Sequence, residues 1–299
     1  KGFSLEEKNE NSETALSIAV KNNDIKMTKL LIENGSNVNV LKEDEWALSY
    51  LAEALINNYI DIAKLLIEYG ADVNDEFWIQ GPGYQDFFTP LTWACNIDNL
   101  ELCKILIEAG ASLDKEHGGY TPLGRAVINS EKCTKYLIEQ GADIDKKAPI
   151  LNTLWNDSVE TAKLLLDSGV SLYGSYKPMF EESYESLLNL AIVENAKKIS
   201  KLLIEKEVRL NETNSHGEIP ITLAVVGYNL GAVDLLIKKG VDINSKNSYG
   251  YTAFMKAVEL DNTIMVDFFI KNGADIKLRK KKKKNLLQLA TSAKMRKFL

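Results

Sequence analysis

The chain has 299 residues, 45% hydrophobic and 26% charged, a composition that can bury a core and excludes disordered or collagen-like chains. The net charge of −6 is unevenly divided. Residues 1–278 hold all 42 acidic groups against 27 basic ones and carry −15, while the last 21 carry +9, which argues against a body built throughout for nucleic acid.

No run of about 18 apolar residues occurs, and the opening KGFSLEEKNE has no apolar leader core. Cys95, Cys103 and Cys133 form no CxxC pair, so neither a disulfide framework nor a zinc site is expected. The expected compartment is the cytoplasm, unless a leader has been removed.

In chain order, one unit returns again and again. Thr14-Ala15-Leu16 opens a first helix with a hydroxyl cap. LLIENGSNVN then closes a second helix at Gly35. The closing signal recurs as LLIEYGADVN, ILIEAGASLD, YLIEQGADID and LLIKKGVDIN, at Gly70, Gly110, Gly141 and Gly240, with Gly169 and Gly273 completing the set. Upstream of Gly70, Ile62, Leu65, Leu66 and Ile67 form one apolar helix stripe, and the glycine stops the helix in a left-handed conformation. The opening signal is strongest in Thr89-Pro90-Leu91 and Thr121-Pro122-Leu123, where Pro takes the first helical position.

Repeat starts fall near Thr14, Trp46, Thr89, Thr121, Ala148, Ser186, Ile219 and Thr252, with a closing half-repeat from Asn285 to Leu299. Trp46 replaces Thr, Ala148-Pro149-Ile150 keeps only the proline, and Glu207 stands where glycine is expected. Residues 1–13 carry two readings. Gly2 precedes Ala15 by thirteen residues, as Gly240 precedes Ala253, so the segment is either the hairpin of a preceding repeat or an unrelated glycine.

These TPL and GADVN signatures resemble those of the ankyrin repeat, over nearly the whole chain. The resemblance implies an all-α ankyrin-repeat solenoid in one domain, 1–299. It would consist of eight helix-turn-helix repeats with β-hairpin fingers plus a C-terminal half-repeat cap. It further implies that fingers and first helices line a concave, partner-gripping face.

Catalytic chemistry is not indicated. His117 and His216 each precede a glycine, as turn residues do, and no HExxH, GxSxG, phosphate-loop or GxGxxG motif occurs. No enzyme activity, cofactor or metal is expected. The cysteines fall at core positions, where a thiol behaves as a small hydrophobe.

The irregular fingers carry the individuality. Against a thirteen-residue norm, the finger after Gly70 is seven residues longer, that after Gly141 five shorter, and that after Gly169 five longer. The long ones hold Phe77, Trp78, Tyr84, Phe87 and Phe88, and Tyr173, Tyr176, Phe180 and Tyr184, while Trp155 takes a first-helix position that varies within the family. One reading is a trough of roughly 30 Å that takes a helix or extended segment of a partner protein. The other is that the aromatics fold back as satellite cores.

Lys280, Lys281, Lys282, Lys283 and Lys284 fall at the last fingertip. They form either a solvated terminal cap or a site for nucleic acid or an anionic membrane surface. The leading expectation is a monomeric protein-protein interaction scaffold; polyanion binding is the alternative.

Overall fold

The hydroxyl-led openings are helix N-termini in the computed structural model, which describes residues 4–39, 48–81, 84–171, 185–277 and 289–298, with the side chains of 81, 84, 85 and 298 outside that description. Thr14 Oγ1 accepts from the Ser17 amide at 3.1 Å and opens α1 (Ala15–Lys21). Thr89 goes further: its hydroxyl accepts from the Thr92 amide while Thr92 Oγ1 accepts from the Thr89 amide at 2.6 Å, a reciprocal cap. The second repeat corrects the sequence reading. Its first helix is α3 (Tyr50–Ile56), capped by Ser49, whose hydroxyl accepts from the Ala52 amide at 3.2 Å. Trp46, the expected start, lies outside the described residues, and an indole offers only a donor, which cannot cap a helix N-terminus.

The chain divides into two units, Lys1–Pro149 and Ile150–Leu299. In the first, α1 is followed by α2 (Ile25–Glu33), α3 by α4 (Ile60–Glu68), α5 (Pro90–Asn96) by α6 (Leu100–Glu108), and α7 (Pro122–Asn129) by α8 (Glu131–Glu139). First helices stack on first helices, α1 on α3, α5 and α7 in succession, and second helices follow suit from α2 to α8. Within a repeat the two helices join through Asn23, Asn58 or Asp98 at φ 54 to 59°, residue types whose short polar side chains tolerate left-handed backbone. After the second helix, Gly70 at φ 87° closes the last turn: its amide donates to Ile67 O and the Ala71 amide to Leu66 O, at 3.0 and 2.9 Å. Of the stripe read from the sequence, Ile62 and Leu66 are fully buried, Leu65 is buried and Ile67 is half-buried; Leu102 and Leu106 are fully buried on α6.

A 3-10 turn, Pro149–Asn152, leads from the end of the first unit into the single-turn α9 (Thr153–Asn156) of the second. The finger before it is five residues short, and it reaches Pro149 through Lys147 and Ala148 at φ 61 and 45°. Then come α10 (Val159–Asp167), α11 (Leu187–Val193), α12 (Lys197–Glu205), α13 (Pro220–Val226), α14 (Leu230–Lys238), α15 (Ala253–Glu259), α16 (Thr263–Lys271) and α17 (Ala293–Phe298). First helices α11, α13 and α15 stack in order, as do α10, α12 and α14. Phe254 and Phe269 meet edge to face at 6.3 Å in the buried centre of the α15–α16 pair. Glu207, in the glycine position, adopts φ 58° and pairs with Lys239 at 3.0 Å. Ala196 offers no cap to α12; the Asp157 carboxylate of the preceding repeat supplies it, accepting from the Lys198 and Ile199 amides at 3.0 and 2.9 Å.

Among the described residues one finger forms a two-stranded antiparallel ladder, β1 (Phe77–Gly81) with β2 (Tyr84–Phe88). The tips at His117–Tyr120 and Lys246–Thr252 close with single bridges. Thr89→Ala, which removes the reciprocal cap, is expected to cost about 1–2 kcal/mol in urea denaturation, with Thr89→Ser retaining most of it.

Candidate partner-binding surface

The long finger of the first unit pairs Phe77 with Phe88 and Trp78 with Phe87, so alternation puts each pair on its own face. Phe77 and Phe88 are each 3% exposed. Their rings meet Trp93 of α5 at 6.2 and 5.0 Å, and the Trp93 indole N–H donates to Leu55 O at 3.1 Å. Arg125 of α7, itself buried, pairs with Asp86 of β2 and lays its guanidinium over the Phe88 and Tyr120 rings, 4.9 and 4.2 Å from their centroids. On the other face, Phe87 is half-buried against the His117 ring at 5.4 Å. Gly118 packs so closely there that a Cβ would meet Phe87 O at 3.0 Å. Of the two readings the sequence left open for Phe77 and Phe88, their burial fits the satellite core, which seats the finger on α5 and α7. Phe87 and Trp78 retain partial exposure.

Trp155 behaves in the opposite way. It is 58% exposed on α9, two residues before Asp157, the left-handed residue between the helices. At the same register stand Val193 before Asn195 and Val226 before Tyr228, both exposed, and then Glu259 before Asp261. Three successive first helices thus present bare apolar side chains at one position. In the first unit that position holds Lys21, Ile56, Asn96 and Ile128, the two isoleucines half-buried. Tyr228 adds to the row. Where the other left-handed interhelix turns use Asn or Asp, it holds φ 53° with its ring exposed, a backbone conformation that a bulky residue adopts at a cost of about 1–3 kcal/mol.

A family model for ankyrin repeats matches residues 1–77, 79–148, 151–247, 188–280 and 223–299. The chain belongs to the ankyrin repeat family. The crystal structure of the ankyrin repeat domain of Bcl-3, a member of the IkappaB protein family, superposes with a TM-score of 0.60 at 22% identity, over 71% of this chain and 98% of that one; at that identity the likeness speaks for the fold. A search of curated proteins finds no match.

In ankyrin terms, the residues that the sequence reading missed are those that tie one finger to the next. The Asp of GADVN bonds its own turn, as Asp72 Oδ1 does in accepting from the Asn74 amide at 2.8 Å. The final Asn or Asp crosses to the next repeat. Asn39 Oδ1 accepts from the Asp72 amide, Asn74 Oδ1 from Ser112, Asp114 Oδ1 from Asp143 and Asn244 Oδ1 from Asp275, at 2.8 to 2.9 Å. Their invariant spacing from the glycine was the available signal. At the tips, the Ser248 amide donates to Gly217 O at 2.8 Å.

The titratable groups are absorbed into this framework. His117 sits 3.2 Å from Glu76, and His216 3.2 Å from the Ser215 hydroxyl. Cys95, Cys103 and Cys133 are buried with sulfurs 3.7 and 3.4 Å apart along the series, and burial pushes the Cys95 thiol well above its usual range. Among the described residues no His, Cys, Asp or Glu group is arranged to hold a metal, and no helix is long and apolar enough to cross a membrane.

The side chain of Tyr84, and Tyr173, Tyr176, Phe180 and Tyr184 of the second long finger, lie outside the described residues, as do Lys280, Lys281, Lys282, Lys283 and Lys284. The division between packing and exposed aromatics has a direct measure: Phe88→Ala is expected to destabilise by about 3–5 kcal/mol and Trp155→Ala by less than about 0.5 kcal/mol, both read from urea denaturation.

Proposed function

We propose that this ankyrin protein is a protein-protein interaction scaffold. It holds a partner segment against the first-helix row Trp155, Val193 and Val226 of the second unit, with Tyr228 as a further contact. Ankyrin repeats are generally protein-protein interaction modules, which supports the class. The observation that carries the site is the row itself: large apolar side chains left in water at one register position of three successive first helices, a recurrence that scattered single exposures, which need no explanation, do not account for. Trp is among the residue types that most often dominate interface energetics. The strained Tyr228 points the same way, because a fold that has Asn and Asp available for that turn keeps an unfavourable aromatic there.

Near the row in sequence stand Asp157, whose carboxylate is taken up by the α12 amides, Glu194 beside Val193, and Glu259 at its end, so it suits an apolar strip of a partner better than a highly charged one. Polyanion binding has in its favour only the +9 of the last 21 residues.

Capture from native lysate with the intact protein, set against a Trp155→Ser/Val193→Asp variant of unchanged circular dichroism, tests the site. Loss of a specific band with the variant is expected; an unchanged band removes this row from the proposal. Tyr228→Asn is expected to raise stability by about 1 kcal/mol while weakening capture, and a variant that binds as well as the parent would remove Tyr228 from the surface.

A further inference from the structure

The outer face of the α1–α2 pair differs from a terminal face. A repeat array ends on a polar surface, because the last pair has no neighbour to cover it. Here α1 and α2 present Ile18, Met27 and Leu30 to solvent, along with Ile25. Comparison by register shows what these residues are shaped for. Met27 is 44% exposed, whereas Ile62, Leu102, Cys133 and Met265, the same position on α4, α6, α8 and α16, are no more than 2% exposed. Leu30 is 53% exposed, against 8% for Leu65 and Leu202 at its position and half-burial at the same position of the other second helices. Ala15 is exposed, while Tyr50, Leu187 and Ala253 at its position are buried. The side chains of α1 and α2 are of the interior kind, but nothing in the described structure covers them.

A second, independent observation concerns residues 4–13. The Asn9 amide donates to Glu13 O, the Ser12 amide to Asn9 O, and the Glu13 amide to Asn9 Oδ1, at 2.9 to 3.0 Å. The fingertips at Asn214, Gly217 and Glu218 and at Asn247, Gly250 and Tyr251 make the same three bonds. Ser12 takes φ 62° where those tips have Gly217 at 73° and Gly250 at 79°. Glu6 Oε1 accepts from the Asn37 amide at 2.9 Å, the bond that Asn39, Asn74 and Asp114 make to the following repeats. In register, Glu6 stands where Asn244 stands before Asn247. Residues 4–13 are therefore an ankyrin finger in full working geometry, docked on the finger that follows.

We propose that the α1–α2 face is an internal stacking face, and that its occupant is an antiparallel helix pair of this same repeat type running directly into the 4–13 finger. Each complete repeat of this chain delivers its finger from the second helix of a pair, and that pair packs on the next one. The bonding register of residues 6–13 fixes where such a pair leaves off, and the bare Ile18, Met27 and Leu30 mark where it lands. A second copy of the chain could bring apolar side chains to the face, but it would have to do so beside a finger already in place. The inference stands apart from the partner row on the second unit.

The test joins a designed repeat-type helix pair, ending in an LLIExG exit, in frame ahead of residue 3 of the full chain, and compares it with the unextended protein. The expected result is that the first thermal unfolding step moves up by about 4 °C or more and that binding of an apolar dye falls. Met27→Lys/Leu30→Glu should leave the unextended chain folded and cancel both gains in the extended one. An extended chain with an unmoved transition and unchanged dye binding overturns the proposal. So does a gain that survives Met27→Lys/Leu30→Glu. Sedimentation of the unextended chain separates the other occupant: concentration-dependent dimers that Leu30→Glu abolishes would assign the face to a second copy and overturn the helix pair.

Discussion

Everything in this protein depends on a helix pair that cannot bury its own apolar stripe. A nine-residue helix such as α4 is too short to hold together by propensity, and Ile62 and Leu66 reach full burial only because stacked neighbours close over them. Stability is then a sum of nearest-neighbour interfaces, and the polar parts of each repeat serve that stacking. Hydroxyl caps start the helices, left-handed turns fold them back, and Asn39, Asn74, Asp114 and Asn244 pin each finger to the next backbone.

Against so regular a frame, departures divide into those that reinforce it and those that leave something bare. The long finger of the first unit reinforces. Its Phe77 and Phe88 stack on Trp93, and Arg125 is held between Asp86 and two aromatic rings. The row from Trp155 to Val226 and the outer face of α1 and α2 are bare, at residues whose burial by a partner would be favourable by roughly 1–2 kcal/mol each. Size and aromaticity alone do not separate the two groups; the strand face turned to α5 or the helix position left without a neighbour does.

That distinction explains how much could be read from the residues. Apolar periodicity and the spaced glycines made the repeat, its family and most helix starts legible, because those signals are local. Ser49 was missed because the Trp46 alignment kept a fixed step where the chain takes three further residues. The fate of the aromatics was not legible, since Phe88 and Trp155 are both aromatic residues at irregular repeats, and only the ladder register and the Arg125 side chain decide that one turns in. Asp157 capping α12 from the preceding repeat and Glu6 docking on Asn37 are likewise long-range bonds that no local pattern announces.

The measurement that bears most directly on the nearest-neighbour account is residue-resolved amide hydrogen exchange of the intact chain. Helices α1 and α2, covered on one side, should exchange markedly faster than α3 through α6, with protection rising repeat by repeat into the first unit. Protection in α1 and α2 equal to that in α5 and α6 would contradict it, by showing that a helix pair in this protein holds without a neighbour on each side.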